Sequence, residues 1–282
     1  MASKDESPGC SSESEDSGMS STPVTNEKIK TEKTKAKKTP LLVKFFQRKW
    51  TNVKRGVFEK AGLSTQSEEG PSSIPGANCA ETQNQLKTEL SMLEEHAPPS
   101  LMQLLDVLAE CKLSWTPVTE VWLRVFIGNG ETALDQATLE KMGITHVLNA
   151  TPAEDAPGRN IPSREAYYQS LNISYYHVAA VDEAWFDISE FFHPAAGFIQ
   201  TALQNPEHKV LINCAHGVSC SASLSLAYLM IHLDLLLENA IDRVTRVRRI
   251  EPNIGFLKQL ALLNANLIEQ RKLKLENLIK GH

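Results

Sequence analysis

Short apolar runs alternate along the second half of the chain with longer stretches whose apolar residues recur every three or four positions. Val125–Ile127, His146–Leu148, Tyr175–Val178 and Val210–Ile212 read as strands. Ala137–Met142, Phe191–Leu203, Ser221–Leu233, Leu237–Val247 and Phe256–Leu267 carry helical spacing. Pro98-Pro-Ser100 ahead of Leu101–Leu108 predicts a lead-in helix. Strands alternating with helices predict an α/β fold, with a central, mostly parallel twisted sheet flanked by helices on both faces. Such sheets bind ligands beyond the carboxyl ends of their strands.

Composition divides the chain differently. The first 26 residues hold five acids, one Lys and many Ser, too polar to bury a core. Residues 27–60 then hold twelve Lys or Arg against three acids, a block that the net charge of −5 conceals. Within it, 28–38 resembles a nuclear-localisation or nucleic-acid patch, which suits an importin or an acidic surface better than nucleic acid. Residues 41–50 mix apolar and basic side chains, as an amphipathic helix meeting a membrane surface or partner would; a solvated basic tail is the plainer reading. Residues 61–97 read as linker with a short helix near Gln85–Glu95. The expected organisation is a disordered region over 1–97, a folded domain over 98–272 and a tail over 273–282. The domain's length is ample for one core. No run of 18 apolar residues and no signal segment stands out, and five scattered cysteines give no disulfide framework. The expected location is cytoplasm, nucleus or both.

The chemistry concentrates in Asn213-Cys-Ala-His-Gly-Val-Ser-Cys-Ser221, directly after an apolar strand and before a helix. A thiol that attacks a phosphate monoester must be a thiolate, which a helix N-terminus and backbone N–H groups favour. The phosphate needs a cradle of N–H donors, which a tight loop entering a helix supplies. The transferring phosphoryl needs its charge neutralised, usually by the planar fork of Arg. Cys214 and the loop 215–219 offer the first two. Nothing in the loop offers the third, because Cys220 stands there. Taken alone, Cys214 could be an ordinary buried cysteine; the flanking pattern argues otherwise.

C-x5-R-S after a hydrophobic strand is the signature of protein tyrosine phosphatases, and the segment 213–230 resembles the atypical dual-specificity phosphatases, whose loop reads roughly H-C-x-x-G-x-S-R-S-A-T. Cys214, Gly217, Ser219 and Ser221 match; Asn213 replaces His and Cys220 replaces Arg. Thr119–Trp122 with Val125–Gly128 resembles the family's first strand, with Leu123 where Pro is usual. Gly143–Asn149 is similar to its second strand, and Pro252–Leu260 to the segment opening its last helix. The resemblance spans about residues 98–272. It implies Cys214 at the nucleophile position and Asp182 at the general-acid position, on a mobile loop between strand 175–178 and a helix start capped by Asp187 or Ser189. It implies Ser221 assisting departure of the thiolate, and Ala215, His216, Gly217, Val218 and Ser219 cradling phosphate. No cofactor or metal is expected.

Losing an arginine that stabilises a transferring phosphoryl costs about 10³–10⁵ in rate, or roughly 4–7 kcal/mol. Asn213 can still donate a hydrogen bond, so its effect is expected to be smaller. The expectation is a pseudophosphatase that binds phosphoproteins or kinase and phosphatase signalling proteins. Two alternatives stand beside it: an active phosphatase using a phosphocysteine at Cys214, and a redox-responsive module of Cys214 and Cys220. Cys220 otherwise only fills vacated space. His216 could supply positive charge if its ring turned inward. Arg159 and Arg164, in the polar stretch 151–164, read as solvated loop charges or rim contacts. Arg243, Arg246, Arg248 and Arg249 read as cations at a helix C-terminus or a docking cluster.

Overall fold

The computed structural model describes residues 79–152 and 163–281, with side chains from residue 83 onward. Helices α1 (Cys79–Glu94) and α2 (Leu101–Ala109) lead in. Strands β1 (Val118–Trp122) and β2 (Val125–Gly128) follow, then α3 (Gly130–Leu134), α4 (Gln136–Met142), β3 (His146–Ala150), α5 (Arg164–Ser170) and β4 (Ser174–Val178). A 3-10 turn (Ser189–Phe191) runs into α6 (Phe192–Leu203). The chain ends with β5 (Val210–Asn213), α7 (Cys220–His232), α8 (Leu237–Thr245) and α9 (Ile254–Lys280).

The sheet order is β1-β2-β5-β3-β4, with every pair parallel except β1 against β2. The expected fold class is therefore the observed one. Side chains alternate across the sheet with period two. Val125, Ile127, Leu148, Ala150, Val210 and Ile212 enter the larger core, beneath α6, α7, α8 and α9. Val147 and Leu211 enter the smaller core on the other face, with Ala133, Leu139 and Tyr168 of α3, α4 and α5. β5 lies at the centre, buried at all four residues, so the loop at its carboxyl end starts from the most fixed part of the sheet. Helix α7, which receives that loop, is buried from Cys220 to Met230. Its polar residues Ser223 and Ser225 bond back to Ser219 O and Ser221 O at 2.9 and 2.8 Å, satisfying hydroxyls that burial would otherwise strand.

Several expectations are corrected. The segment 119–128 is a hairpin rather than one strand, because Arg124 turns the chain with φ 65°. That unusual conformation is held on both sides. Its N–H donates to Glu120 Oε1 at 2.7 Å, and its guanidinium reaches the carbonyls of Leu203, Asn205 and His208 beyond α6. The polar stretch 151–164 ends in helix α5, capped by Ser163 Oγ on Ala166 N–H at 3.2 Å; residues 153–162, Arg159 among them, lie outside the described residues. Residues 1–78, with the basic block 27–60, also lie outside them.

Both expected domain limits are overrun by helix. The lead-in helix forms as predicted, with Ser100 and Gln103 making a reciprocal capping box. Ahead of it, however, α1 packs along α9 and buries Leu93 to 1% exposure. His96 then meets Glu238 of α8 at 3.3 Å. At the other end α9 continues to Lys280 and buries Leu275. The domain therefore begins no later than α1, and no separate tail starts at 273. Truncating a buried Leu costs about 2–5 kcal/mol. Leu93→Ala is expected to lower the unfolding free energy by about 2–3 kcal/mol in urea titrations. A chain starting at residue 98 is expected to lose at least as much. Equal stability in both comparisons would show α1 to be dispensable.

Candidate active site

Between β5 and α7 the chain turns through residues 214–219, and the turn is held from outside. Four successive carbonyls find partners away from the loop. Ala215 O accepts from Gly130 N–H at 3.1 Å, and His216 O from Trp115 Nε1–H at 3.3 Å. Gly217 O accepts from Arg248, and Val218 O from Glu251 N–H at 2.7 Å. Carbonyls fixed outward leave the N–H groups to face inward, which is how a short loop makes an anion cradle. Gly217 is required at its position. Its φ is 71°, and a Cβ there would fall 2.5 Å from Gly128 O and 2.7 Å from Arg248 Nη2.

Cys214 Sγ sits at the base, 5% exposed. Gly217 N–H donates to it at 3.2 Å, and Ser221 Oγ lies 3.2 Å away. Its pKa falls to about 5. The Cys220 thiol contributes most to that fall, burial opposes it, and the Ser221 hydroxyl and the N–H groups of Ser221 and Gly217 add to it. Cys220 moves the opposite way. The neighbouring Cys214 and burial hold it firmly as a neutral thiol. Both thiols are free. Cys220 is 2% exposed and packs within the larger core, so the position that the resemblance gives to a phosphate-binding arginine ends in a buried, uncharged group.

Asn213 is fully buried. Its amide donates to Asn149 Oδ1 at 2.9 Å, and Asn149 in turn donates to Thr151 Oγ1 and Tyr175 Oη, each at 3.0 Å. Asn213 Oδ1 has no hydrogen-bond partner among the described residues. Asn213 thus keeps one anchoring bond beneath the loop and leaves one polar atom unmet.

Asp182 stands over the helix entrance. Its Oδ1 accepts from Ser219 Oγ at 2.6 Å and from Asn253 Nδ2 at 2.8 Å. Ser219 Oγ also accepts from Asn253 N–H at 3.1 Å, and Asn253 Oδ1 caps α9 on Phe256 N–H at 3.0 Å. Asp182 is exposed, as the acid position requires, and its segment contacts α9. A Cβ on Gly255 would lie 2.0 Å from Ala184 O, so the segment rests directly on α9. Gln259 bonds Phe186 O and Ser189 N–H at 2.8 and 2.9 Å. Asp187 accepts from Ser189 N–H and Oγ just ahead of the 3-10 turn, while the N-caps of that turn and of α6 are Ile188 and Phe191, neither with a side-chain cap bond.

The residue that sequence reasoning missed is Arg248. It does not belong to a docking cluster: it is 1% exposed, and its guanidinium grips the loop from behind. Nε and Nη2 both donate to Gly217 O, at 3.1 and 2.9 Å. Nη1 donates to Thr116 O, Thr116 Oγ1 and Thr119 Oγ1 at 2.9–3.1 Å. Burial pulls its pKa down while the charge on Cys214 supports it. The other three arginines are separately engaged: Arg243 over the Trp122 ring at 5.4 Å, Arg246 on Asp242 at 2.7 Å, and Arg249 on Glu251 at 2.7 Å. Four arginines in seven residues look alike in sequence. Only the proximity of Arg248 to Pro252-Asn253, which lies against the loop, could have marked it. Arg164 opens α5, and His216 is exposed at the rim, turned outward rather than toward Cys214.

The family model for the dual specificity phosphatase catalytic domain matches residues 125–266, half of the 282-residue chain. Among solved structures, human DUSP28 is 26% identical over 55% of this chain and 97% of its own, with a TM-score of 0.46. A mouse putative dual specificity phosphatase complexed with zinc tungstate is 27% identical over 57% of this chain and 94% of its own, with a TM-score of 0.47. The human tyrosine phosphatase-like serine/threonine/tyrosine-interacting protein is 27% identical over 53% of this chain and 96% of its own, with a TM-score of 0.45.

A thiolate reacts with alkylating agents and a thiol does not. Alkylation of Cys214 is therefore expected to rise with pH through a midpoint near 5, where an unperturbed cysteine shows a midpoint near about 8.5. Iodoacetamide labelling followed by mass mapping measures it. Ser221→Ala removes one stabilising hydroxyl and is expected to move the midpoint upward. A midpoint above 8 in the parent chain would contradict the geometry.

Proposed function

The chain belongs to the dual-specificity phosphatase family, and we propose that it acts there as a binding protein whose phosphoryl turnover is strongly impaired or lost. One observation carries the reading: the loop's shape is complete, yet its arginine position is the buried thiol Cys220. The guanidinium nearest the loop by hydrogen bonding, Arg248, is spent on Gly217 O, Thr116 and Thr119 and holds the loop's outer side. It shapes the cradle without being free to clasp a ligand.

The electrostatics follow directly. A thiolate at Cys214 and a phosphate dianion are both negative, and the cradle's N–H dipoles are left to offset their repulsion. The missing guanidinium costs about 10³–10⁵ in rate and weakens ground-state capture as well. Partners of the phosphoprotein or kinase and phosphatase signalling kind would then be held chiefly by the domain surface, in the cytoplasm, the nucleus or both. Among the described residues, no helix is long and apolar enough to cross a membrane.

A second reading has its own support, in the depressed Cys214 pKa and the neighbouring Asp182 and Ser221. In that reading the Cys214 thiolate attacks phosphorus and forms a phosphocysteine as the ester oxygen departs. Asp182 gives that oxygen a proton. Asp182 then takes a proton from the attacking water, while Ser221 stabilises the departing thiolate.

Turnover of a small aryl phosphate separates the two. The purified protein is expected to fall about 10³-fold or more below active family members. Cys220→Arg combined with Asn213→His is expected to recover at least about a hundredfold of that, since each restores a missing group to a loop that Arg248 already shapes. Parent turnover matching active relatives and abolished by Cys214→Ser would overturn the binding-protein reading.

A further inference from the structure

Arg248 is a buried cation with no carboxylate against it. It is 1% exposed, and among the described residues its hydrogen bonds all go to neutral oxygens, those of Gly217, Thr116 and Thr119. Buried charges are ordinarily paired with an opposite charge. Here burial pulls the guanidinium's pKa down, and the charge on Cys214 is what supports it. One of the neutral acceptors differs from the rest. Thr116 Oγ1 accepts from Nη1 at 3.1 Å, yet Thr116 itself is exposed. The buried fork reaches the surface at that hydroxyl.

The segment around the hydroxyl is open. Residues 112–117, between α2 and β1, are exposed and form neither helix nor strand. Pro117 follows Thr116 directly and biases it toward extended backbone. Among the described residues one other threonine or serine precedes a proline. It is Thr151, which is 9% exposed and has its Oγ1 taken by Asn149.

We propose that Thr116 is a phosphorylation site for a proline-directed protein kinase, and that its phosphate supplies the counter-charge that the buried Arg248 guanidinium lacks. The proposal goes beyond the binding-protein reading and holds whether or not any turnover remains.

The step balances with ATP as the donor. Thr116 Oγ forms a bond to the γ-phosphorus, the bond from that phosphorus to the bridging oxygen breaks, and ADP leaves with the electron pair. The hydroxyl proton passes to the kinase's base. The product carries about −1.5 to −2 of charge and three strong acceptor oxygens. It exchanges a neutral acceptor of Nη1 for a charge-assisted one, which is shorter and roughly twice as strong.

The geometry leaves room for that exchange without loosening the loop. Nε and Nη2 hold Gly217 O, so Nη1 is the end available to Thr116. Thr119 Oγ1, 2.7 Å from Thr116 Oγ1, can turn its proton to a phosphate oxygen. The nearest acids along the chain are engaged elsewhere: Glu120 accepts from Arg124 N–H, and Glu251 pairs with Arg249. Trp115, beside the hydroxyl, already donates to His216 O at 3.3 Å. Phosphorylation therefore fastens segment 112–117 to the outer side of the loop at two neighbouring residues.

The test uses the full chain in two arms. In the first, the protein is incubated with a purified proline-directed serine/threonine kinase, ATP and Mg²⁺, and the phosphate is placed by mass mapping. Phosphate at Thr116 in the parent, lost in Thr116→Ala and in Pro117→Ala, is expected. No phosphate at Thr116, or phosphate confined to Ser7, Thr22 and Thr39, which also precede proline, overturns the site. In the second arm, phosphothreonine is incorporated at 116 during synthesis and titrated by phosphorus NMR. Its second pKa is expected at about 5 or lower in the folded chain, against about 6 in the same chain unfolded in urea, because an adjacent cation favours the dianion. Arg248→Lys keeps a charge but has no fork, and is expected to return the value part of the way toward about 6. Equal values in the folded and unfolded parent overturn the counter-charge, and that comparison stands even if Arg248→Lys does not fold. Neither arm reads turnover, so failure here leaves the functional reading standing, and the reverse also holds.

Discussion

The bonds from the Arg248 guanidinium to the Gly217 carbonyl fix the curvature on which the site depends. Burying a cation is costly unless its donors are met. Arg248 meets the cost with contacts to Gly217, Thr116 and Thr119, tying the loop, the segment before β1 and β1 itself into one body. With Gly217 O held behind the loop, Gly217 N–H reaches forward to the Cys214 sulfur. The low pKa of that sulfur is thus partly a consequence of an arginine on the far side of the backbone. The Asp182 segment joins the same body through Asn253, which bonds both Asp182 and Ser219.

An electrostatic asymmetry follows. The cradle keeps its dipoles and its anionic sulfur but has no arginine in the loop. In water such an imbalance would matter little, but at low local dielectric each unpaired charge is felt more strongly. The thiolate is stabilised here chiefly by a neighbouring thiol, with a hydroxyl and backbone N–H groups behind it. That keeps the sulfur at the base of the loop anionic.

The fold was largely legible from residues 98 to 272 because hydrophobic period and strand length agree there. Val210-Leu-Ile212 is apolar throughout because β5 is covered on both faces, and the alternation of Leu211 against its neighbours divides the two cores. The Leu123-Arg124 turn was not legible, since neither residue is a usual turn former; Arg124 adopts φ 65° because Glu120 and three carbonyls hold it there. The end of α9 was hidden for a similar reason. Arg271-Lys272 looks like a helix C-terminus, yet Arg271 instead reaches Met230 O and Asp234 O at the end of α7, and the helix continues beneath it. Helix α1 was expected as a short helix near Gln85–Glu95, but its packing on α9 was not legible, because it is polar over most of its surface and Leu93 alone signals little in sequence. At the site, Cys214, Asp182, Ser219 and Ser221 were named because the family resemblance implies them, and the structure places Ser221 against Cys214 and Asp182 against Ser219. Arg248 was not, because a buried guanidinium in a run of arginines has the same letters as a solvated one.

Two separable jobs for guanidinium groups emerge from this loop. One arginine shapes the cradle by holding its carbonyls; the other, in a loop of the C-x5-R type, would fill the cradle with positive charge. The first acts through backbone geometry and is indifferent to what enters. The second acts only on a ligand. Because the two use different residues, Cys220 can stand at the second position without disturbing the first, and Arg248 still holds the loop's carbonyl at Gly217. The thiol at 220 also changes what the remaining nucleophile faces. In place of a guanidinium, the nucleophile position has a neutral thiol at the far end of the loop, and that thiol is the largest cause of its lowered pKa.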